Sequence, residues 1–257
     1  MLKEIIISIQ AYLEAHRFIV KHKLWKWIFI PGLIYCILFI AGIYLFWVTS
    51  NSAIEWVLLK SGTKAWLDSM HDSWLNFFFI VGQVILRLVL LLFYFSLFKF
   101  LFLIIGSPVF AYLSEKTDSI IENKDFPFSA KQLMKDIIRG VGIALRNMLW
   151  QSVYFVSILI LSFIPVAGWV TPVVAFFVDC YYLGFSMLDY SSERNKLSVS
   201  QSIDFIGHHK GLAIGNGMVF YMMHLFPVIG WLFAPSYAVI AATISLHKAR
   251  KTHVIIQ

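Results

Sequence analysis

The sequence has little charge and almost no cysteine. Only 14% of its 257 residues are Asp, Glu, Lys or Arg, whereas soluble domains carry about 25%. The two cysteines, Cys36 and Cys180, lie inside apolar runs and form no Cys-x-x-Cys pair, which excludes a disulfide framework and a cysteine-based metal site. The composition therefore excludes a soluble globular domain.

Enzyme motifs are missing as well. The sequence contains no Walker A motif, no His-Glu-x-x-His and no Gly-x-Ser-x-Gly, which argues against ATP hydrolysis, zinc-dependent proteolysis and serine hydrolysis. His208 and His209 are adjacent, so they do not share a helix face as two metal ligands would. We expect no enzymatic activity, no cofactor and no metal site.

The residues that are abundant are apolar, at 60% of the chain. Two apolar runs, 27–49 and 75–106, are 23 and 32 residues long and exceed the roughly 20 residues that cross a hydrocarbon core. Residues 50–74 are polar and are expected to form the loop between them. These runs predict an all-α integral membrane protein with two long transmembrane helices.

Amphipathic segments precede and follow these two spans. In residues 1–26, apolar side chains recur at helical spacing opposite charged ones, which predicts a helix in the membrane interface or, alternatively, a helix packed on the rest of the protein. Residues 107–147 are expected to form a cytoplasmic helical region. Ser107 is the predicted N-cap of a new helix there, with Pro108 at its first position. The exposed amides of this helix start could bind an anion such as phosphate or sulfate, or the segment could be an ordinary capped helix start. Ser129 and Gln132 have the spacing of a capping box.

The last part of the chain contains an internal repeat. Residues 165–169 and 227–231 both read Pro-x-x-Gly-Trp between two apolar stretches, which predicts two helical hairpins, at 148–190 and 213–247. The first arm of the second hairpin, 213–226, has 14 residues and reaches roughly 21 Å. Because a hydrocarbon core is about 30 Å thick, the second hairpin is expected to be re-entrant. The first hairpin could be either re-entrant or transmembrane.

Charged residues within apolar segments are candidate functional groups. Arg87 and Lys99 lie in the second apolar run, where a cation is costly and usually faces protein or water. Each could line an anion path or snorkel to the surface, and snorkelling is favoured for Lys99, which lies near the end of the run. Asp179 and His224 could relay protons or serve as satisfied structural groups.

A basic stripe follows the second run. Lys131, Lys135 and Arg139 repeat every four residues and therefore share one face of a helix. The stripe is either a solvated or lipid-facing surface or a cytoplasmic collar that concentrates anions.

Several segments together resemble the CysZ sulfate permeases and their etoposide-induced-protein-like superfamily. Residues 107–115 resemble that family's Pro…Gly-Leu-Leu-Ala-Glu segment, with Pro108, Leu113 and Glu115 matching and Ala111 in place of the glycine. The same order of motifs continues with Phe-Ile-Pro-x-x-Gly at 163–168 and Asp-Tyr at 189–190. The similarity extends from about residue 24 to 246.

This resemblance implies an oligomeric bacterial inner-membrane permease for sulfate or a related oxyanion, with passive or ion-coupled flux. Family members carry an Arg-Arg pair near the first span, implicated in sulfate binding, and this sequence has Trp25-Lys26 there. The implied partners are the oxyanion, membrane lipids and further copies of the chain, with no nucleic acid. The candidate substrate-binding residues are Lys26, Ser107, Pro108, Glu115 and Arg87.

A second functional class fits the same features. The amphipathic start of the chain and the basic stripe also suit a non-transporting membrane scaffold or a lipid-interacting protein. An ion path should depend on Lys26 and Arg87, whereas a scaffold should tolerate their replacement.

The distribution of Lys and Arg predicts the topology. Seventeen of these residues lie in the N-terminal segment, 107–147, 190–212 and the C-terminal tail, whereas the 50–74 loop contains two. By the positive-inside rule both termini face the cytoplasm. Reporter fusions after Gln257 and within 50–74 should give opposite compartment signals. Equal signals from both fusions would contradict a single orientation.

Overall fold

The computed structural model describes residues 1–60, 73–124, 130–165, 167–194, 197–226 and 228–251. Nearly all of these residues are helical, as the sequence predicts. The helices are α1 (Leu2–His22), α2 (Trp25–Lys60), α3 (Ser73–Glu122), α4 (Ala130–Ser162), α5 (Ala167–Arg194), α6 (Val199–His208), α7 (Lys210–His224) and α8 (Ile229–Lys251).

Five of the described helices are long and apolar enough to cross a membrane. These candidate spans are Trp25–Trp56, Phe77–Glu122, Met134–Ser162, Gly168–Ser192 and Ile229–Ala249. Many of their large apolar side chains point outward, including Leu92 at 63% exposure and Trp169 at 89%. Exposed apolar surface on this scale has no favourable contact with water, so the structure confirms an all-helical membrane protein.

The first helix packs on the protein, the second of its two predicted alternatives. Its apolar residues Leu2 and Leu13 are exposed, whereas Ala11, Ala15 and Ile19 are buried against α7 and α8. Small side chains let α1 approach closely, and its exposed apolar side chains remain available to lipid. Lys23, in the left-handed conformation at φ 54°, ends the helix and turns the chain into α2.

The first long span continues beyond its predicted end at residue 49, and α2 reaches Lys60. Hydroxyl groups explain why the polar residues there remain helical. Thr49 Oγ1 donates to the Leu45 carbonyl at 2.7 Å, and Ser52 Oγ donates to the Val48 carbonyl at 3.1 Å, which satisfies them within the helix. Residues 61–72 of the predicted loop lie outside the described residues.

The predicted helix start at Ser107 and Pro108 is wrong. α3 runs without interruption from Ser73 to Glu122, with Pro108 inside it. Proline lacks the amide that would bond to the carbonyl four residues earlier, which belongs to Ile104. Ser107 Oγ donates to that carbonyl at 2.9 Å and replaces the missing bond, so Ser107 supports a continuous helix and does not begin a new one.

The amphipathic segment after residue 130 and the first arm of the first hairpin form one helix, α4. Ser129 of the predicted capping box lies outside the described residues, while Gln132 donates a side-chain hydrogen bond to Asp136. The chain turns at 163–165 and continues into α5, so Gly168 and Trp169 belong to the helix after the turn. For this hairpin, a full crossing of the membrane and a re-entrant course both stay predictions.

The described residues form two compact units. One contains residues 1–36 and 99–257, and the other contains 37–98. In the first unit, α7 packs against α1, α5, α6 and α8. In the second, the apolar stretches of α2 and α3 pack through aromatic pairs such as Phe39 with Phe95 and Phe46 with Tyr94.

Glycines let α5 and α7 touch through their backbones. A Cβ on Gly184 would lie 1.9 Å from the Ala213 carbonyl oxygen, and one on Gly217 would lie 2.1 Å from the Cys180 carbonyl oxygen. Both distances are far inside van der Waals contact. The pairing of residue 184 with 213 and of 180 with 217 shows that the two helices run antiparallel.

The length of α7 supports the prediction that the second hairpin is re-entrant. The helix has 15 residues and reaches about 22 Å at 1.5 Å per residue, short of a core of about 30 Å. A cysteine introduced at Trp231 should therefore resist a membrane-impermeant thiol reagent added to the periplasmic side. A cysteine in the 50–74 loop is the reactive control, and rapid labelling at both positions would show that the turn crosses.

Candidate functional site

A buried ion pair lies between the apolar helices α3 and α5. The Lys99 side chain is 6% exposed, and its Nζ lies 2.8 Å from Asp179 Oδ1. The same ammonium donates to the Asp179 carbonyl at 3.2 Å and to Tyr221 Oη at 3.3 Å. Three acceptors therefore surround a cation that carries three N–H donors.

Two further side chains complete this group. Gln151 of α4 donates its amide to Asp179 Oδ1, and Tyr221 belongs to α7. Lys99, Gln151, Asp179 and Tyr221 therefore bring α3, α4, α5 and α7 together, and we call these four residues the polar cluster.

Lys99 does not snorkel to the surface, which was the role favoured by its place near the end of the apolar run. Its ammonium faces protein and pairs with a carboxylate because desolvating an isolated charge in apolar surroundings is too costly. The two partners differ in exposure, since the Asp179 side chain is 31% exposed and that of Lys99 is 6% exposed. Asp179 is thus the less buried partner of the pair.

His224 lies one helical turn beyond the polar cluster. Its Nδ1 lies 3.1 Å from the Phe220 carbonyl, which can only accept, so Nδ1 carries the hydrogen. In the neutral ring Nε2 then accepts from Tyr35 Oη at 2.8 Å. His224 thus has partners at both nitrogens, as does a satisfied structural histidine, and its role as a proton relay stays a prediction.

The turn that contains Lys26 packs beside the segment that resembles the family motif. Lys26 is exposed in the first turn of α2. The next residue, Trp27, contacts Tyr112 of α3 with 4.2 Å between ring centroids and a tilt of 37° between the rings. Tyr112 lies between Pro108 and Glu115 in the sequence. The structure therefore places the start of α2 beside the 107–115 segment.

The helix amides expected to bind an anion are engaged, however. Ser107 is fully buried, and residues 107–115 lie in the interior of a continuous helix, where amides bond to carbonyls four residues earlier. Free amides occur only in the first turn of a helix. Ser107 and Pro108 therefore do not provide the free amides of a helix start, and their contact with an anion stays a prediction. Glu115 is half-buried on the same helix.

Arg87 lies in the other unit, at residues 37–98. Its side chain is half-buried, and its Nε is buried without a hydrogen-bond partner among the described residues. An unsatisfied donor at membrane depth is costly. Its contact with a passing anion stays a prediction.

The predicted basic stripe divides into two parts. Lys131 and Lys135 are exposed, whereas Arg139 binds Asp189 through two bonds, at 3.2 Å from Nε to Oδ2 and 2.8 Å from Nη2 to Oδ1. Asp189 also accepts from Ser202 Oγ. Arg139 thus holds α4, α5 and α6 together and is not part of a solvated face.

Two other buried carboxylates pair with histidines. His209 Nδ1 lies 2.8 Å from Glu4 Oε1, while His247 Nε2 bonds to Asp118 beside Glu122. In each pair, a direct hydrogen bond joins the histidine ring to the carboxylate. His208 points elsewhere, 2.9 Å from the carbonyl of Asp204.

Sequence reasoning singled out Lys99 and Asp179 separately but missed that they form a pair. They are 80 residues apart, so no periodicity links them. One signal was available, because opposite charges in separate apolar spans tend to pair with one another. Gln151 and Tyr221 carried no charge and no motif to mark them.

The unequal exposure of the ion pair predicts unequal effects of substitution. Asp179→Asn should lower stability by about 3 kcal/mol, because Lys99 is left buried without a counter-charge. Lys99→Met should cost less, since Asp179 is the less buried partner and still accepts a hydrogen bond from Gln151, and the double variant should recover most of the loss. Thermal unfolding in detergent, followed by circular dichroism, measures these effects. Lys135→Met is the exposed control, and additive losses in the double variant would contradict direct pairing.

A family model and the relatives found among known proteins carry the same description. The family model described as sulfate transporter CysZ/etoposide-induced protein 2.4 matches residues 11–235. The chain is 26% identical over 185 residues to the sulfate transporter CysZ of Pseudomonas aeruginosa, covering 70% of this chain and 74% of that protein. It is 27% identical over 187 residues to the protein of the same name from Pseudomonas syringae pv. tomato, covering 70% and 73%. Because the family model spans most of the chain, this protein belongs to the CysZ/etoposide-induced protein 2.4 family.

Proposed function

We propose that this protein is an inner-membrane permease for sulfate or a related oxyanion. The observation that carries the proposal is the burial of Lys99 between apolar helices, paired with Asp179. Ionisable groups at membrane depth are costly to keep, which makes this pair a candidate part of a substrate or ion pathway. The relatives named sulfate transporter CysZ support the choice of substrate.

The polar cluster can exchange one anion for another. Lys99 holds the Asp179 carboxylate at 2.8 Å, so an incoming oxyanion competes with that carboxylate for the same ammonium. Protonation of Asp179 removes its negative charge and weakens its hold on Lys99. Proton-coupled flux follows if protonation accompanies anion entry, and passive flux follows if the oxyanion displaces Asp179 unaided.

Lys26 is the proposed first contact for the oxyanion. It is exposed, and it precedes Trp27, which contacts the 107–115 segment through Tyr112. An exposed cation raises the local concentration of anions at the mouth of a path. Ser107 and Pro108 contribute by keeping α3 continuous there, and Arg87 is a further candidate contact for the anion.

Substitution of Lys26 tests this proposal. In proteoliposomes, the wild type should take up radiolabelled sulfate faster than empty liposomes do. Lys26→Ala should weaken the apparent affinity about tenfold or more, because a charge-assisted contact is worth about 1.5–3 kcal/mol. Lys131→Ala removes an exposed cation elsewhere and should leave uptake unchanged.

The outcomes separate the permease from a scaffold. Absence of uptake of sulfate, sulfite and phosphate by folded wild-type protein would overturn the proposal and favour a non-transporting membrane scaffold. Uptake that is unaffected by Lys26→Ala would preserve the permease but remove Lys26 from its site. In that case Arg87→Gln and Asp179→Asn are the next variants.

A further inference from the structure

A groove on the surface of the larger unit is separate from the polar cluster. It lies between α4, α5 and α7 and has a volume of about 530 Å³. Two cations, Arg146 and Lys210, contribute to its lining, together with aromatic and aliphatic side chains. A groove of this size is large enough for part of a lipid and larger than an inorganic anion requires.

The lining changes from charged to apolar in the same direction on two parallel helices. On α4, Arg146 is followed by Trp150 and Tyr154, and on α7, Lys210 is followed by Ile214. Each step of four residues is one helical turn, or about 6 Å. The cations therefore lie at one end of the groove, and the walls become apolar away from it.

The third helix has the matching order. α5 runs antiparallel to α7, as the contacts of Gly184 and Gly217 show. Its residues Tyr181 and Tyr182 therefore lie nearer the cationic end, and Val174 lies nearer the apolar end. Tyrosine and tryptophan favour the boundary between headgroups and acyl chains. Taken together, the three helices present charge at one end of the groove, then amphipathic rings, then hydrocarbon.

This order agrees with the expected membrane depth. Arg146 comes two residues before the apolar arm predicted to begin at 148, and Lys210 comes three residues before the arm that begins at 213. Both cations belong to segments assigned to the cytoplasmic face by their basic charge. The apolar end of the groove therefore points into the hydrocarbon.

Neither cation is neutralised by a carboxylate among the described residues. Arg146 donates to the neutral Asn147 side chain at 3.1 Å and lies 5.6 Å from the centre of the Phe185 ring. Lys210 is exposed. Two unneutralised cations above an apolar groove are complementary to a phosphate that is joined to acyl chains.

We propose that this groove binds an anionic phospholipid of the cytoplasmic leaflet. Its phosphate contacts Arg146 and Lys210, and an acyl chain lies along Phe177, Val174 and Ile214. Trp150 stands beside the glycerol region of the lipid. The proposal does not rest on transport, because none of these residues belongs to the polar cluster or to the Lys26 region.

Quenching of Trp150 by brominated lipids tests the groove directly. The protein is reconstituted with phosphatidylglycerol or phosphatidylcholine brominated in the acyl chain, and the Trp150 signal is the difference between wild type and Trp150→Phe. Each cation near a charged headgroup contributes about a fivefold preference, so the two together should favour phosphatidylglycerol about twenty-fivefold. Arg146→Gln with Lys210→Gln should reduce that ratio to about one.

Matched variants separate the site from general charge. Lys131→Gln with Lys135→Gln removes two exposed cations of α4 outside the groove and should keep the preference, as should Arg146→Lys with Lys210→Arg. If the double glutamine variant does not fold, Lys210→Gln alone should lower the ratio about fivefold.

Three results would overturn the proposal. The first is equal quenching of the wild type by both lipids, or a preference that survives in the double glutamine variant. The second is protection of Trp150 from both lipids, which would mean that another copy of the chain covers the groove. The third is loss of phosphatidylglycerol quenching on adding millimolar sulfate or phosphate at constant ionic strength, which would assign the cations to a free anion.

Discussion

The backbone contact between α5 and α7 is the constraint on which the larger unit depends. α7 has 15 residues, and a helix of that length is marginal without tertiary packing. Gly184 and Gly217 remove the side chains that would hold the two backbones apart. Gly211 and Gly215 do the same on the face of α7 that meets α1. A Cβ at any of these positions would separate helices that have no hydrophobic drive to associate in lipid.

This packing also positions the functional groups. Cys180, whose carbonyl meets Gly217, directly follows Asp179, so the closest approach of the two helices lies beside the ion pair. Tyr221 lies one turn beyond Gly217 and reaches Lys99 at 3.3 Å. Lys210, at the other end of α7, borders the groove that contains Arg146. One helix contact therefore sets the position of the polar cluster and of the lipid groove.

Residues of the family motifs make specific contacts between helices in this structure. Asp189 of the Asp-Tyr pair holds Arg139 and Ser202, and Tyr190 donates to the Leu103 carbonyl at 3.3 Å. Pro108 lies within α3, where Ser107 replaces its missing hydrogen bond. These residues shape the scaffold around the proposed path. The single cation Lys26, at the place where the family resemblance implied an Arg pair, cannot reproduce the bidentate fork of an arginine.

The sequence by itself determined the class of protein and most of its helices, because the length of an apolar run decides whether a helix can span a bilayer. The distribution of Lys and Arg between the loops likewise predicts the orientation of the chain. It also determined the family. Only the tertiary structure decided which charges pair and which helix faces are buried. Lys99 and Asp179 are 80 residues apart, and α1 buries Ala11 and Ala15 and leaves Leu13 exposed. In lipid an apolar face gains little by burial, so close packing of small residues and pairing of charges decide the contacts. Neither of these effects can be read from periodicity along a single helix.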